Sequence, residues 1–595
     1  MPEIPLAVMR HSCAHLMAAA VKRLYPQAKF GVGPVIADGF YYDFDVALTE
    51  ADLPSIEEEM RQLQKAEVAF VREEVPLNEA IKIFKKLEQP YKVELLELLK
   101  TKGTTKISAE EAQEVGGDIK SVPLYQTGDF LDLCRGPHLE RASQIGAFKL
   151  LKLAGAYWRG SEKNTMLTRL YGTCWPSQEE LDKYLWQQEE AKKRDHRKLG
   201  QELKLFMIND EVGPGLVTWL PNGAIVREEV EKLAKEEETV GGYLRVATPH
   251  ITKGVLYERS GHLPYYKETM FPPMSVTDEA DYYLKPMNCP HHHLIYLHES
   301  RSYRDLPLRL AEYGTVYRYE KSGELNGLMR VRALAINDAH IYVTPEQIKS
   351  EIRNVLALHE RYYKIFGITD FSLRFSRWDS ARQAKYIDQP DNWEMSERLI
   401  KEALEEIGLP YVEVKDEAAF YGPKIDVQIT SAIGTEYTLS TIQLDFAAGD
   451  RFNLRYTGSD GQEHKVFVIH RAPLASHERW IGFLIEHYAG AFPVWLSPTQ
   501  LAVLPVSEKH NAGARTLGRE LTERGIRAVL DLSDNKIGHK VRQAALQKIP
   551  YILVWGEREE QGGDWTLKVR GQDQPLIISR EKFLAKLAIE IKDRV

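Results

Sequence analysis

Three residues that are far apart in the sequence have the side-chain types of a transition-metal site. Cys289 lies in the segment KPMNCPHHH, His340 in NDAHIY and His470 in VIHRAP. One thiolate and two imidazoles form a three-ligand zinc set that leaves the fourth tetrahedral position open for water or a substrate. Such a site performs chemistry or recognition. The alternative is that these are core residues, and spacing alone does not exclude it.

A second group of possible ligands lies near the start of the chain. His11 and His15 are four residues apart, which places both imidazoles on one face of a helix. Cys134 and His138 repeat that spacing, and Asp132 is close enough in sequence to orient an imidazole. The H-x3-H and C-x3-H pairs have zinc-ligand composition. They equally suit proton transfer near neutral pH, and a helix surface with incidental histidines is the third possibility.

Composition places the chain among ordinary globular proteins. Its 595 residues predict three or four domains, and no apolar run approaches the ~18 residues of a membrane span. The start lacks a signal-peptide core, and four cysteines cannot form a dense disulfide framework, so we expect a cytoplasmic protein. The net charge of −8 argues against a protein that coats nucleic acid, yet the segment from Ser497 has 17 basic against 13 acidic residues. That surplus is enough for local contact with a phosphate backbone.

Composition shifts divide the chain into four parts. Residues 1–175 mix helix and strand. Residues 176–204 are rich in Glu, Gln, Lys, Leu and Arg and predict a long exposed helix, either a linker or the last helix of the first domain. Residues 205–496 predict a large antiparallel sheet with helices on it, and residues 497–595 alternate strand and helix as a small α/β domain with a mixed sheet. The fold class is therefore α+β, multidomain.

Arginine-centred motifs accompany the metal-ligand candidates. The segment AEYGTVYRYE contains Arg318 and Glu320 and precedes a glycine-bearing loop and Arg330. The segment ASHERWIGF contains Arg479, and GYLRVATPHI follows an amphipathic helix. These segments resemble motifs 2, 3 and 1 of the class II aminoacyl-tRNA synthetases, although Ala475 stands where the third motif usually has glycine.

Cys289, His340 and His470, with the segments RSYRDLPLR, FYGPKID and TIQLDF, narrow the resemblance to the threonyl-tRNA synthetases over essentially the whole chain. The resemblance implies ligation of L-threonine to tRNA(Thr) through threonyl-adenylate, using ATP with Mg²⁺ and one Zn²⁺ per subunit. It implies a class II antiparallel-sheet core, a homodimer formed through motif 1 and no membrane attachment.

The resemblance also implies roles for individual residues. Arg318 would hold the α-phosphate of ATP, Arg479 the γ-phosphate and Arg330 a further phosphate, while Glu320 would meet the adenine amino group. Planar guanidinium groups suit this task because they clamp carboxylate and phosphate oxygens in a crowded anionic transition state. The further implied residues are Lys424 in catalysis, Gln443 at ATP, and Asp338, Tyr421, Ser476 and Met287 at threonine.

Zinc would explain how threonine is selected. An apolar pocket separates near-isosteres such as threonine and valine by only ~10²-fold. An open coordination position can bind the amine and hydroxyl of threonine together, with Asp338 beside the amine, and valine would leave it unfilled. Ile336 stands where this family has a glutamine, and Asn337 is the candidate to replace the polar contact that this removes.

Serine carries the same amine and hydroxyl, so mischarged seryl-tRNA demands correction. The His11, His15, Cys134 and His138 set resembles the editing domain that bacterial threonyl-tRNA synthetases share with alanyl-tRNA synthetase, and there we predict no second zinc. Family members often begin with a further small domain ahead of this one. Because His11 lies almost at the start, we expect that domain to be absent.

The last part resembles the anticodon-binding domain of this synthetase subgroup, most recognisably in DNKIGHKVR. Carboxylates and guanidinium groups can read base edges, although a solvated charged face is the alternative for each residue. The candidates are Lys536, Lys540, Arg542, Glu559, Lys568 and Arg570.

Two other classes of function stay open at this point. One is a tRNA-binding or regulatory relative that has lost amino-acid activation. The other is a free-standing deacylase with a decayed synthetase body. Intact Arg318, Arg479 and all three zinc-ligand candidates disfavour both.

Overall fold

The structure is a computed structural model that describes residues 4–102, 120–275, 280–431, 434 and 436–595. The chain divides into two compact units, Met1–Gln188 and Glu189–Val595. None of the helices in the described ranges is long and apolar enough to cross a membrane.

The first unit consists of two antiparallel sheets and their helices. Its strands are β1 (Lys29–Phe30), β2 (Val35–Ile36), β3 (Gly39–Asp45), β4 (Phe70–Pro76), β5 (Ser121–Thr127), β6 (Phe130–Leu133), β7 (Ala147–Tyr157) and β8 (Met166–Trp175). Its helices are α1 (Leu6–Leu24), α2 (Leu53–Lys65), α3 (Leu77–Lys86) and α4 (Pro90–Lys102), and α5 (Gln178–Arg194) begins here. One sheet has the order β1-β3-β8-β7 with β2 beside β3, and the other is β4-β5-β6.

Helix α1 is the centre of the first unit. Its Ala-, Leu- and Met-rich sequence favours helix, and Lys22 and Arg23 in the last turn suit the negative end of the helix dipole. Nearly every side chain from Ser12 to Val21 is buried, in a core with Phe40 and Leu170 of the larger sheet. This burial fixes the rotation of the helix and therefore the direction in which its histidines point.

The second unit begins with a large part that contains fourteen strands and nine α-helices among the described residues. Its strands are β9 (Phe206–Ile208), β10 (Val217–Trp219), β11 (Leu244–Arg245), β12 (Ile251–Lys253), β13 (Tyr282–Leu284), β14 (Leu308–Tyr317), β15 (Ala333–Val343), β16 (Phe371–Arg377), β17 (Tyr411–Lys415), β18 (Lys424–Thr430), β19 (Glu436–Asp445), β20 (Arg455–Thr457), β21 (Glu463–Lys465) and β22 (Phe467–Arg471). Its helices are α6 (His196–Glu202), α7 (Pro221–Val240), α8 (Gly254–Ser260), α9 (His262–Tyr266), α10 (Cys289–Leu297), α11 (Ile348–Ile365), α12 (Pro390–Ile407), α13 (Ala448–Arg451) and α14 (His477–His487).

Eight of these strands form one sheet, in the order β11-β14-β15-β22-β19-β18-β16-β17. The inner pairs are antiparallel and the outermost pair at each edge is parallel. Apolar side chains of α7, α11 and α14 pack on one face of this sheet around Ile341 and Ile469. The residues that alternate with those two point to the opposite face.

The carboxyl-terminal part has a mixed sheet in the order β24-β23-β25-β26-β27. Its strands are β23 (Leu501–Pro505), β24 (Ala528–Leu530), β25 (Tyr551–Trp555), β26 (Trp565–Val569) and β27 (Leu576–Ile578). Its helices are α15 (Asn511–Glu523), α16 (Ile537–Leu546), α17 (Glu557–Glu560) and α18 (Arg580–Asp593). Strand β23 is parallel to both neighbours, and the remaining pairs are antiparallel.

The predicted α+β multidomain fold class is confirmed, with one correction. The single helix expected over 176–204 is interrupted, because Asp195 ends α5 and starts α6. Its side chain accepts a hydrogen bond from the Arg197 N–H, which is the role of an N-cap residue. The boundaries 1–175, 176–204, 205–496 and 497–595 stay predictions.

Candidate functional site

The structure brings Cys289, His340 and His470 together. Cys289 is the first residue of α10, and the two histidines are direct cross-strand partners on β15 and β22. One possible ligand atom from each residue lies within 4.8 Å of the others. Antiparallel pairing therefore aligns two imidazoles, and a helix start adds the sulfur.

Each imidazole of this cluster has an outer partner. His340 Nδ1 lies 2.8 Å from His292 Nδ1, and His292 Nε2 lies 3.1 Å from a Glu312 carboxylate oxygen. His470 Nε2 lies 3.3 Å from Asp445 Oδ2. Metal-binding histidines are commonly held in this way, because the outer bond fixes the ring and its tautomer.

One nitrogen of the cluster is left over. His340 Nε2 is buried and has no hydrogen-bond partner among the residues that the structure describes. A buried polar atom without a partner costs free energy unless a ligand completes it. With a thiol and a second imidazole within reach, the donor set fits Zn²⁺.

Burial and nearby charges shift the pKa values of the two imidazoles in opposite directions. Burial lowers the pKa of His340 well below its usual range. Burial also acts to lower the pKa of His470, but hydrogen bonds to Asp445 and Cys289 outweigh it and raise the pKa to about 10. The pocket between sulfur and carboxylate thus favours a positive charge.

A small cavity of about 60 Å³ adjoins Cys289 and His470. Met287 and Tyr421 line it, and their role at an amino-acid substrate stays a prediction. The Tyr421 hydroxyl lies 2.6 Å from Gln443 Oε1. This volume suits a ligand of a few heavy atoms.

Three other predicted site residues, Asp338, Lys424 and Gln443, lie on β15, β18 and β19. Asp338 is two residues before His340 on β15 and accepts a hydrogen bond from Asn288 Nδ2 over 3.0 Å. Lys424 is the cross-strand partner of Gln443, and its Nζ lies 2.6 Å from Asp426 Oδ2.

The predicted role of Asn337 is wrong. Alternation along β15 turns its side chain to the face opposite Asp338, where it is 1% exposed and donates to Glu238. Ile336, at the position of the expected glutamine, lies on the same side of the strand as Asp338. Asn337 lies on the other side and therefore does not replace the glutamine.

A second cavity, of about 220 Å³, is lined by the predicted ATP residues other than Gln443, which is the cross-strand partner of His470. Arg318, Glu320, Arg330, Ser476 and Arg479 all line it. Glu320 is 2.7 Å from Arg330, while the Ser476 side chain caps α14 by accepting from the Arg479 N–H. Ser476 therefore lies with the arginines in this second cavity.

Positive charge is concentrated in this second cavity. Burial lowers the pKa of Arg479, and repulsion from Arg318 and Arg330 adds to it. An anion would relieve that repulsion. The cavity thus suits a polyphosphate.

The first unit brings together His11, His15, Cys134 and His138, with possible ligand atoms within 4.8 Å of one another. Cys134 Sγ lies 3.2 Å from His11 Nε2 and 3.3 Å from His138 Nε2. The remaining ring nitrogen of His11 is 3.3 Å from the carbonyl oxygen of Pro137. The sulfur and two imidazoles therefore already engage one another.

Asp132 organises the rear of this cluster. It lies 3.3 Å from His15 Nε2, accepts a 2.7 Å hydrogen bond from Tyr42 and forms an ion pair with Lys92. The Lys92 ammonium is 2.9 Å from the Tyr42 hydroxyl, and Lys92 is only 2% exposed. Sequence reasoning missed Lys92 and Tyr42 because neither lies in a motif that contains possible catalytic or metal-binding residues. The sequence also gives no sign that this particular lysine is buried.

A cavity of about 640 Å³ adjoins this cluster. Burial lowers the pKa of His11, lowers that of His15 well below its usual range, and with neighbouring imidazoles lowers that of His138 to about 2. Burial and the Asp132 charge raise the pKa of Cys134 to about 12. At neutral pH the cluster offers neutral imidazoles and a protonated thiol.

The predicted anticodon residues separate into two groups. Lys536, Arg542 and Lys568 are exposed. The prediction for Lys540 is wrong, because it is 3% exposed and its Nζ donates to main-chain carbonyls of Pro505 and Asp531.

Two further residues of that set are engaged within the protein. The Arg570 guanidinium donates to the carbonyls of Lys548 and Phe492. Glu559 accepts from the Gly556 N–H at the start of α17.

Comparisons with known proteins cover the whole chain. Residues 274–488 match the tRNA synthetase class II core domain (G, H, P, S and T), and residues 500–589 match an anticodon binding domain. Residues 122–171 match the threonyl and alanyl tRNA synthetase second additional domain. The resemblance to these families is confirmed.

Individual relatives agree with these matches. A threonine–tRNA ligase of Geobacillus kaustophilus is 47% identical over 100% of this chain and 89% of its own length. One of Streptococcus thermophilus is 46% identical over 99% of this chain and 89% of its own length. The solved RNA binding domain of threonyl-tRNA synthetase from Cryptosporidium parvum has a TM-score of 0.63 at 38% identity, covering 66% of this chain and 98% of that one. A putative threonyl-tRNA synthetase from Aeropyrum pernix has a TM-score of 0.61 at 27% identity, covering 67% of this chain and 96% of that one. The chain therefore belongs to the threonyl-tRNA synthetase family.

Proposed function

We propose that this chain ligates threonine to tRNA(Thr) with ATP, selects threonine through zinc held by Cys289, His340 and His470, and hydrolyses mischarged Ser-tRNA(Thr) in its first unit. The observation that carries the zinc assignment is the buried Nε2 of His340, which has no partner among the described residues and lies beside the thiol and the second imidazole.

The two cavities of the core border the same strands. On β15, Ile336 lines the arginine cavity and His340 belongs to the zinc cluster. At β22, His470 belongs to the cluster, and Ala472 just beyond the strand lines the arginine cavity. This arrangement supports a pocket in which amino acid and nucleotide lie side by side, as adenylate formation requires.

In the activation step, a carboxylate oxygen of threonine attacks the α-phosphorus of ATP, and the bond to pyrophosphate breaks. Arg318 would neutralise the α-phosphate and Arg479 the γ-phosphate, with Arg330 at a further phosphate and Mg²⁺ bound to the nucleotide. Glu320, now paired with Arg330, would accept from the adenine amino group. Lys424 and Gln443 are assigned to catalysis and to ATP by the same proposal.

Selection of threonine would depend on the residues around the small cavity. When bound, zinc supplies an open coordination position for the amine and hydroxyl of the substrate. Asp338 would hold the ammonium group, and Met287 and Tyr421 would enclose the side chain. The space left by the cavity of about 60 Å³ favours a small amino acid.

In the editing step, water attacks the ester carbonyl of seryl-tRNA, and the bond to the ribose oxygen breaks. A neutral imidazole of His11, His15 or His138 can take the proton from water and pass it to the leaving oxygen. Burial raises the pKa of Cys134, and its sulfur contacts two imidazoles, which supports a metal-free site because only the thiolate is a good ligand. Asp132 would fix the orientation of His15.

The proposal also covers the dimer surface, the cellular location and the anticodon contacts. Val240, Leu244 and Ile251, around motif 1, are 79%, 57% and 47% exposed, which supports a homodimer through this surface. Buried free thiols at Cys13 and Cys174 support a reducing, cytoplasmic location. Lys536, Arg542 and Lys568 are the proposed anticodon contacts.

The domain assignment is part of the proposal. Residues 1–175 would edit, 176–204 link, 205–496 activate and transfer, and 497–595 bind the anticodon. The interruption at Asp195 falls inside the proposed linker.

Pyrophosphate exchange with threonine, valine and serine, combined with hydrolysis of Ser-tRNA(Thr), tests this assignment. We expect exchange with threonine and serine, little with valine, and rapid Ser-tRNA hydrolysis. Absent exchange with preserved hydrolysis would favour a free-standing deacylase. Absence of both, with tRNA binding retained, would favour a regulatory relative.

A further inference from the structure

A buried ion pair lies behind the strands that carry the zinc-ligand candidates. Arg471 follows His470 on β22, so its side chain points to the opposite face of the sheet. Arg471 is 1% exposed, its Nη1 lies 2.8 Å from Glu238 Oε1, and its guanidinium stacks 4.3 Å from the ring centre of Tyr243. Glu238, also 1% exposed, belongs to the last turn of α7.

The same carboxylate reaches the neighbouring strand. Asn337 Nδ2 donates to Glu238 Oε1 over 2.7 Å, and Asn337 Oδ1 lies 3.5 Å from Arg471 Nη1. Asn337 immediately precedes Asp338, just as Arg471 immediately follows His470. The network therefore fastens β15 and β22 to α7 at positions whose sequence neighbours face the substrate pocket.

Stability alone does not account for this network. Taking a guanidinium and a carboxylate out of water costs much of what their attraction returns, and well-packed apolar residues often replace such pairs without loss. What an ion pair adds, and apolar contact does not, is a fixed direction and distance between named atoms. Here those atoms connect the two strands that align His340 and His470.

We propose that Arg471 is a positioning residue for the threonine pocket. Through Glu238 and Asn337 it fixes how the paired strands β15 and β22 lie against α7, and thereby the placement of Asp338, His340 and His470. This inference rests on the proposed threonine and zinc site, and it adds a residue that touches neither substrate nor ligand.

The test removes both charges at once, in the double variant Arg471→Met with Glu238→Gln, so that no buried charge is left unpaired. We expect thermal stability near that of the native enzyme and a KM for threonine raised about tenfold or more, because small misplacements of binding groups are costly. The KM for ATP should change less than about twofold, because Arg318, Arg330 and Arg479 all lie outside β15 and β22. Zinc affinity, measured by competition with a chelator, should fall together with threonine affinity.

Arg245→Met is the matched control. Arg245 Nη2 lies 2.8 Å from the other oxygen of Glu238, but Arg245 is on β11, away from the two ligand strands. We expect its KM for threonine to stay within about twofold of the native value. If the double variant does not fold, Asn337→Ala carries the test, because it cuts only the link from Glu238 to β15 and should raise the same KM selectively.

An unchanged KM for threonine in the folded double variant overturns the inference, and so does an equal rise in both KM values. If the double variant does not fold, an Asn337→Ala enzyme with native KM values overturns it as well. The proposed function has a separate test in the native enzyme, whose zinc content is measured first. A native enzyme without zinc refutes the zinc assignment whatever the variants do.

Discussion

The two histidine–cysteine clusters have nearly the same donors and different surroundings. In the core, His340 and His470 are each held from outside, and one buried ring nitrogen is left without a partner among the described residues. In the first unit, Cys134 is hydrogen-bonded by two imidazoles of its own cluster. His15 Nδ1 of the first cluster is also buried without a hydrogen-bond partner among the described residues, so the two clusters differ in their outer contacts and not in having an open nitrogen.

The comparison indicates that two similar donor sets can serve the two different roles proposed for them, according to their outer contacts. Outer carboxylates at Glu312 and Asp445 make the core imidazoles good ligands. In the first unit, the carboxylate of Asp132 contacts His15 directly and also Lys92 and Tyr42, just as Glu312 also contacts Lys285 and Thr248. The cluster of the first unit suits proton transfer from water, for which a neutral imidazole is needed as the base.

We expect the largest difference between the two clusters when their cysteines are replaced. Cys289→Ala should abolish bound zinc and reduce threonine-dependent pyrophosphate exchange by about 10³-fold or more, because the polar groups of the substrate lose their common partner. Cys134→Ala is the matched variant and should keep one zinc per subunit. Metal analysis and exchange assays measure both, and one equivalent of zinc in the Cys289 variant would contradict the assignment.

Removing the imidazoles of α1 should affect only editing. The double change His11→Ala and His15→Ala is expected to slow Ser-tRNA hydrolysis by about 10²-fold or more, the usual contribution of general acid–base catalysis. Exchange with threonine in the same preparation is the internal control and should be unchanged. Undiminished clearance of Ser-tRNA would remove these histidines from the mechanism.

Replacing a residue that contacts a ligand only indirectly should have an effect of intermediate size on zinc affinity. Glu312→Gln should weaken zinc binding by about 10- to 100-fold, because His292 loses the charge that orients it toward His340. Glu397→Gln serves as control, since Glu397 is a buried carboxylate that pairs with Arg377 instead. Chelator competition measures both affinities, and equal values in the two variants would argue against an outer-shell role.

The smallest effect concerns pH. A lowered histidine pKa keeps the imidazole neutral as pH falls, so His15 and His138 should not be protonated above pH 6. After correction for spontaneous ester hydrolysis, the Ser-tRNA hydrolysis rate should change less than about twofold between pH 8 and pH 6. A decline with a midpoint near the ordinary histidine pKa of about 6.5 would show that the imidazoles titrate normally.

Sequence reasoning found the donors because their chemistry is rare and their motifs are compact. It did not find His292, since three consecutive histidines in KPMNCPHHH give no sign of which one turns toward His340. Asp445 was equally hidden, because its partner His470 is brought to it by strand pairing.

The errors had a common physical cause. Lys540 was expected on the surface because it is charged and lies in a basic motif, but carbonyls of Pro505 and Asp531 converge on its ammonium group. Asn337 was expected beside the substrate, but strand alternation turned it away. In both cases the decisive partner is distant in sequence, whereas the alternation of strand and helix predicted for 497–595 depends on local patterns and is observed.

The direct pairing of His340 with His470 makes this pocket an all-or-nothing device. Sliding β22 by a single residue would present Ile469 or Arg471 in place of an imidazole, with no intermediate arrangement available. A misassembled copy would then lose its hold on threonine altogether. For an enzyme whose errors would enter many proteins, loss of activity is less harmful than attachment of the wrong amino acid.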